Sequence, residues 1–484
     1  MNASSAPATA AIVNLGCKVN QAEMEAAARL LRGAGVALVD PAAGADLVLV
    51  NTCTVTAEAD RKSRHAVSRA RRTSPDAEIV VTGCSVQVGP EAFAATDPRA
   101  RLVDNRAKDA LLTELAALAA IGPDAAGPTD RALPTLSGAE LAGVADDRAV
   151  VERTRAFVKV QDGCSFFCTY CIIPAARGAE RSLPPEAVLA DVRRALAAGH
   201  REIVLTGINI GTYDGGWSER GPRGSHRRSA LTLAGLVRRI ATEMRVERIR
   251  LSSIEPQHVD DELLDAWRAG APRTLPHVHL PLQSGDDDVL RRMGRRYDTA
   301  AYRTVVERVR GAVPGVAVHA DVIAGFPTET DAAAERTEAF VRDLDLAGLH
   351  VFRYSARPGT PAIRMAGQVG EAEKKRRAAR LLGQAADARA QWARRAVGGE
   401  RSVLFETRLA DGRWLGRAED YTPVVASAPG GHESLENWIG RVAVSGVDAA
   451  AADRVNGRIV SLQAPAHRLT RTLPLAPAGG PDAV

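Results

Sequence analysis

The feature that most limits what this chain folds into is a strand–helix alternation that occurs in two blocks. In the first, apolar runs at Ala11–Gly16, Asp46–Asn51 and Glu78–Gly83 read as strands, with helical patterns at Asn20–Arg32 and Ala57–Arg72 and a weaker strand and helix over Arg101–Ala119. That order predicts a parallel, doubly wound sheet. Gly122–Asp147 is rich in Ala, Gly, Pro and Asp and reads as a linker. Strand signals then recur at Phe157–Gln161, Glu202–Thr206, Arg248–Ser252, Val278–Leu282, Val316–Ile323 and Leu349–Tyr354, separated by helical patterns such as Pro185–Ala198, Leu231–Met244 and Thr330–Leu344. Six such repeats predict a parallel barrel, short of full closure, with its chemistry on the loops after the strands. A basic helix over Glu371–Arg395 closes the block.

Beyond it the periodicity changes. Val403–Thr407, Trp414–Glu419, Val424–Ser427, Trp438–Ser445 and Arg458–Leu462 read as short strands joined by polar turns, hence a small β-barrel of the kind that serves as a nucleic-acid platform. The expected fold class is α/β with a small all-β domain at the C-terminal end. The expected division is a disordered leader over 1–10, a sheet domain over 11–120, a linker over 121–150, a barrel over 151–396, a β-barrel over 397–464 and a disordered tail over 465–484.

The six cysteines fall into two trios on this frame. Cys17, Cys53 and Cys84 each follow a strand and precede a helix. In a parallel sheet those loops gather at the carboxyl ends of the strands, so thiols far apart in sequence converge. Scattered buried thiols are most often inert, but their equivalent placement favours a ligand set for a metal cluster. Cys164, Cys168 and Cys171 form a CxxxCxxC run after the first barrel strand. Three thiolates are too few for a closed zinc site, and on a four-iron cluster they leave one iron open to a small molecule. This is the pattern of a reactive iron–sulfur site.

A length of 484 residues, 45% of them hydrophobic and 25% charged, fits a multidomain globular protein. No apolar run reaches transmembrane length and Met1–Ala11 carries no Lys or Arg, so no membrane association and a cytoplasmic location are expected. Cysteines in that compartment are not structural disulfides. The formal charge of +5 permits a polyanionic partner. Basic residues cluster at Arg61, Lys62, Arg64, Arg69, Arg71 and Arg72, at Arg291, Arg292, Arg295 and Arg296, and at Lys374, Lys375, Arg376 and Arg377. Such runs serve equally as solvated helix faces or as phosphate contacts. Trp414, Tyr421 and Trp438 are candidate stacking surfaces for bases, or core.

Over roughly residues 10–465 the chain resembles the methylthiotransferase family of radical S-adenosylmethionine enzymes. The likeness rests on the spaced N-terminal cysteines, the CxxxCxxC barrel and a C-terminal β-barrel of the type called TRAM. Gly16-Cys17-Lys18-Val19-Asn20-Gln21, Gln161-Asp162-Gly163-Cys164 and Cys171-Ile172-Ile173-Pro174 are most similar to the branch that acts on N6-threonylcarbamoyladenosine in tRNA. The chain departs from that branch at Ala175, where a Tyr is expected, and in an Arg/Gly-rich stretch at Ser218–Ser229.

The resemblance implies two 4Fe-4S clusters, one on each cysteine trio, with S-adenosyl-L-methionine bound at the open iron of the central one. A deoxyadenosyl radical would then take hydrogen from carbon 2 of the adenine, and sulfur held by the N-terminal cluster would be delivered there as methylthio. It also implies a tRNA substrate and an electron donor such as a flavodoxin or ferredoxin, and it leaves the oligomeric state open. Asn209, Ser253, Glu255, Gln283, Gly325 and Glu329, all after barrel strands, are the candidate cofactor contacts, and Arg177 and Arg181 the candidate substrate contacts. For any one of these polar residues, capping or a structural hydrogen bond is an equal reading. His277 and His279 alternate along a strand, and with no adjacent Cys or carboxylate cluster they do not read as a metal pair. The rivals are methylthiolation of isopentenyladenosine or of a ribosomal protein and, in a different class, a zinc-stabilised RNA-binding protein without catalytic activity.

Overall fold

A computed structural model describes residues 9–121, 154–216, 231–430 and 432–466. The expected linker, the Arg/Gly-rich stretch Ser218–Ser229 and the tail from 467 onward lie outside those residues, as does the leader up to residue 8. Residues 9 and 10 already belong to the first strand, Thr9–Asn14, where the Thr9 backbone N–H and hydroxyl both donate to Asp46 at 2.9 Å.

The first domain is a five-stranded sheet in which all strands run parallel. Its spatial order is Ala37–Leu38, Thr9–Asn14, Leu47–Thr52, Glu78–Gly83, Arg101–Val103. Leu47–Thr52 is buried along its whole length, as a strand covered on both faces must be. Its alternation assigns the two layers. Leu47 and Leu49 pack with Met24, Leu31 and Leu111, while Val48 and Val50 pack with Val67, Ile79 and Phe93 on the other side. The edge strand Ala37–Leu38 escapes sequence reading because two residues are too short to show a period. Its presence gives the doubly wound order 2-1-3-4-5, which places the crevice for ligands between Thr9–Asn14 and Leu47–Thr52.

The central domain has six parallel strands, Arg155–Lys159, Glu202–Thr206, Arg248–Leu251, His277–His279, Ala317–Ala324 and Gly348–Arg353. They form two three-stranded sheets joined by single bridges, Ile249 to Thr274 and Ser253 to His279. The fourth strand is shorter than Val278–Leu282. It pairs with its neighbour over His277–His279, and beyond that follows it through separate bonds such as Leu280 N–H to His319 O at 2.8 Å and Gln283 N–H to Asp321 O at 2.7 Å. At Gln283 the backbone turns away with φ of 71°. Outward-facing residues of the strands pack on the surrounding helices through Val188, Leu189, Leu236, Ile240, Trp267 and Tyr302.

The two remaining edges of this open barrel are spanned by the N-terminal domain. On one side Lys159 pairs with Glu23 at 2.9 Å. On the other, Arg357 binds Asp60 and Thr54, and Ala57 N–H donates to the Ser355 hydroxyl at 3.0 Å.

The C-terminal domain is a closed five-stranded barrel of Glu400–Arg408, Trp414–Ala418, Pro423–Ala426, Val455–Gln463 and Ile439–Val447, in that spatial order. It plugs the amino-terminal end of the central barrel. Arg248, Arg250 and Arg201 donate to its carbonyls at Ser402 (3.0 Å), Glu419 (3.2 Å) and Gln463 (2.7 Å), and Arg155 pairs with Glu406 at 2.7 Å. Tyr421 fills the lumen floor, its hydroxyl accepting from Arg155 at 3.0 Å and its ring under Arg250 at 4.8 Å. Trp414 is core, 6% exposed. The candidate stacking platform therefore loses Trp414 and Tyr421, and Trp438 packs partly on the same core.

Candidate functional site

The central cysteine loop leaves the first barrel strand through Gln161–Asp162, paired with Arg181–Ser182. It is pinned by Cys164 N–H to Gly178 O at 3.1 Å, Thr169 N–H to Met293 O at 2.9 Å and Cys171 N–H to Cys168 O at 2.9 Å. Phe167 at its apex has φ of 52° and is 68% exposed, a strained, water-facing position held by its neighbours. The three thiols are unbridged. Burial pushes Cys171 up to about 12 and raises Cys164, each further raised by its neighbouring cysteines. A metal that binds thiols displaces their protons.

Around this loop the barrel mouth contributes polar groups. Arg295 lies 3.4 Å from Cys168 Sγ through Nη1 and forms an ion pair with Glu255. The basic run that includes Arg295 read equally as a solvated helix face or as phosphate contacts, but the Arg295 side chain is buried beside the thiols. The Asn209 amide is buried with neither its oxygen nor its nitrogen bonded, and the Ser252 hydroxyl is in the same state. Orphaned buried polar atoms mark a place for a ligand. Ser253 and Gln283 stand on the bridges at the ends of the third strand and the fourth.

Gly325 and Glu329 are otherwise engaged. Glu329 Oε2 accepts from Gly325 N–H at 2.7 Å and from Arg377 at 2.7 Å. A side chain at Gly325 would meet Lys374 Cγ at 2.4 Å. These two residues, with Arg377, tie the loop after the fifth strand to the helix Glu371–Ala396, which takes Lys374 and Arg377 inside the fold. Lys62, Arg69, Arg72, Arg292, Arg296 and Lys375 remain exposed.

The N-terminal trio gathers as the topology requires. Cys17 caps the helix Lys18–Gly33, Cys53 follows Leu47–Thr52, and Cys84 opens the helix Cys84–Val88. Gly83, with φ of 106°, allows that last turn, because a side chain there would strike the Thr52 backbone at 2.5 Å. Burial pushes Cys53 up to about 12, and Cys84 and Cys17 raise it further. Cys84 is also raised by burial, against the pull of Arg177 and Lys108. Asn105 Nδ2 stands 3.7 Å from Cys84 Sγ and donates to Ala176 O at 2.7 Å.

The short helix Ile173–Arg177 links the two trios, starting two residues after Cys171 and ending against the N-terminal domain. Arg177 is buried there and is not open to substrate. It binds Glu23 and Asp162, each at 2.9 Å, and the Asn20 amide oxygen. Lys108 and Lys159 complete this network at 2.8 Å and 2.9 Å from Glu23. Desolvation opposes the charges of Glu23 and Asp162, but Lys159 and Arg177, joined at Glu23 by Lys108, outweigh it and hold both low, Asp162 at about 2. Arg181 lies at the edge of the same cluster, 3.6 Å from Asp162. Sequence reading missed Glu23 because a Glu on an amphipathic helix looks solvated until another domain covers it.

Fold and site together define a radical S-adenosylmethionine barrel protein with a second thiol trio in an added parallel-sheet domain. Residues 158–341 match the model of the Radical SAM superfamily, and residues 9–104 match Uncharacterized protein family UPF0004. The chain is 34% identical to threonylcarbamoyladenosine tRNA methylthiotransferase MtaB of Thermotoga maritima, over 93% of this chain and 99% of that one. It is 38% identical to the protein of the same name from Bacillus subtilis, over 78% and 80%. It is also 33% identical to tRNA-2-methylthio-N(6)-dimethylallyladenosine synthase of Maricaulis maris, over 93% and 96%. Among solved structures, the radical S-adenosylmethionine methyltransferase TsrM of Kitasatospora setae with cobalamin and a [4Fe-4S] cluster bound shares the fold. Its TM-score is 0.52 at 16% identity, covering 74% of each chain. The chain belongs to the radical S-adenosylmethionine methylthiotransferase family.

Proposed function

We propose that this protein methylthiolates carbon 2 of N6-threonylcarbamoyladenosine in tRNA. The observation that carries the reading is the pair of cysteine trios joined by one five-residue helix, Ile173–Arg177, with the barrel mouth beside them. Cys164, Cys168 and Cys171 hold one 4Fe-4S cluster and Cys17, Cys53 and Cys84 the other. The donor chemistry fits, since thiolates are the natural ligands of such clusters and three per cluster leave one iron exchangeable. Bound there, the clusters and S-adenosyl-L-methionine supply one-electron chemistry at an unactivated carbon and the sulfur to be delivered.

The protein's own groups position these components. Arg295, fixed by Glu255, places a cation against Cys168. Asn209 and Ser252 offer unspent hydrogen bonds to the cofactor, with Ser253 and Gln283 beside them. Arg177 and Lys108 give the N-terminal trio a cationic side. The exposed basic residues Lys62, Arg69, Arg72, Arg292, Arg296 and Lys375 contact RNA phosphates, a salt-sensitive interaction. A small reductant of the flavodoxin or ferredoxin type supplies electrons in the cytoplasm. No described helix is long and apolar enough to cross a membrane.

Mass spectrometry of tRNA nucleosides from cells with and without the gene tests the reading. Loss of the methylthio form with accumulation of threonylcarbamoyladenosine is expected. Unchanged threonylcarbamoyladenosine with accumulated dimethylallyladenosine would move the protein to the branch of the Maricaulis maris relative.

A further inference from the structure

The inner wall of the central barrel carries a polar cluster that the functions above do not use. Alternation along three neighbouring strands turns Val278 and Leu280, Ala320 and Val322, and Leu349 and Val351 outward against the helices. The residues between them, His279, Asp321 and His350, therefore face the lumen. His279 Nε2 lies 2.8 Å from Asp321 Oδ1 and His350 Nδ1 lies 3.2 Å from the same oxygen, with the two rings 5.1 Å apart. One carboxylate oxygen is thus shared by two imidazoles. The side chain of His350 is 42% exposed, against 12% for His279 and 19% for Asp321.

The wall is layered. Below the cluster, His277, His319 and Arg250 surround Tyr421. Above it, Ile323 and Phe352 join Tyr170 in an apolar collar at the mouth. Several cations nearby are paired with carboxylates, while Lys18 and Arg417 stand by Tyr421 and the histidines of the layer below. Arg248 and Arg250 pair with Glu202, Arg155 with Glu406, Lys159 and Arg177 with Glu23 and Asp162, and Arg295 with Glu255.

We infer that His279, Asp321 and His350 form the subsite that recognises the carboxylate on the N6 substituent of the substrate base, with His350 making the direct contact. The inference rests on the function proposed above. A threonylcarbamoyl group ends in an amino-acid carboxylate, whereas a dimethylallyl group is hydrocarbon. Carbon 2 and the N6 substituent occupy different corners of the purine. With carbon 2 held at the mouth inside the apolar collar, the substituent extends to the wall below. Asp321 takes one N–H of each imidazole, so a second carboxylate is bound by a ring carrying both protons, through a charge-assisted bond from its other nitrogen. A hydrocarbon substituent would leave those polar groups unmatched, which is how a site rejects the wrong substrate.

The test uses the reconstituted holoenzyme and three anticodon stem-loop RNAs bearing threonylcarbamoyladenosine, its methyl ester or dimethylallyladenosine. Dissociation constants from fluorescence anisotropy and kcat/KM are both read. The wild type should prefer the acid over the ester by about tenfold to a hundredfold, the range for a charge-assisted hydrogen bond. His350→Ala should lose affinity for the acid and no longer distinguish the two, while His350→Lys should restore the preference. Iron and sulfide content with the cluster EPR signals establish that each variant is folded and loaded. An acid preference retained in His350→Ala overturns the inference. Because the ligand atoms lie within 4.8 Å of one another, zinc content is measured too, and stoichiometric zinc lost in His350→Ala also overturns it. If the wild type acts on the dimethylallyl RNA and not on the threonylcarbamoyl RNA, the parent reading fails, whatever His350 does.

Discussion

The two cysteine trios reach similar arrangements by opposite routes. Cys164, Cys168 and Cys171 lie in one loop, braced by its own turns and by bonds to Gly178 and Met293. Cys17, Cys53 and Cys84 come from three loops, and only the parallel sheet brings them together. A local site depends on loop closure over a few residues. A topological site depends on the register of adjacent strands and on what is packed against them. The second should therefore be more sensitive to remote changes, and the interface network around Glu23 is where that sensitivity concentrates.

The largest effects come from breaking either trio. Cys168→Ala should abolish S-adenosylmethionine cleavage, measured as deoxyadenosine release by liquid chromatography. Cys53→Ala should leave cleavage running without methylthiolated product. A normal product yield from that variant would end the idea of a sulfur-delivering N-terminal trio.

Next in size is Arg177→Met, which strands Glu23 and Asp162 with fewer cations. Breaking a buried ion network in this way costs about 3–5 kcal/mol, readable as a lowered urea midpoint. Iron per chain should fall towards that of a single cluster, with the signal of the central cluster kept. Equal loss from both trios would erase the contrast between the local and the topological site.

The third prediction concerns acid. His200, whose Nδ1 is 3.1 Å from the Thr154 carbonyl, is pushed down to about 4 by burial, and His319 to about 3. An unfolded chain protonates these rings near pH 6.5 while the native chain does not, so unfolding takes up protons and stability falls as pH drops. For His200 the loss accrues between about 6.5 and 4 and is at most about 3 kcal/mol. Asp162, held at about 2 by its cations, adds its loss only below about pH 4. Denaturant titrations at stepped pH should show the earlier decline flattened by His200→Gln. A stability that rises on acidification through this window would contradict the burial argument. The smallest effect is expected for Asn209→Ala, which should weaken S-adenosylmethionine binding by about tenfold, the value of one to two hydrogen bonds, measured by calorimetry on the holoprotein.

Much of this was legible in the chain because it is periodic. Glu78–Gly83 and Glu202–Thr206 coincide with observed strands, and each strand of the C-terminal barrel overlaps an expected segment. Where expectation and structure part, the cause is contact between distant segments. Arg177 looks like a phosphate ligand until Glu23 covers it. Glu329 looks like a cofactor ligand until Arg377 arrives from the closing helix. His279 looked like half of a failed pair with His277, because its partners Asp321 and His350 lie on the next two strands.

By itself, then, the sequence carries the main strand–helix alternation, the three architectures and the six thiols, since each is written in local period, turn chemistry and spacing. Only the tertiary structure decided which charges are consumed, which polar groups are left over and which side chains share the lumen. The physical reason is that burial and partner choice are properties of surfaces brought together. A carboxylate or guanidinium in a helix has the same local signature whether water or another domain comes to cover it.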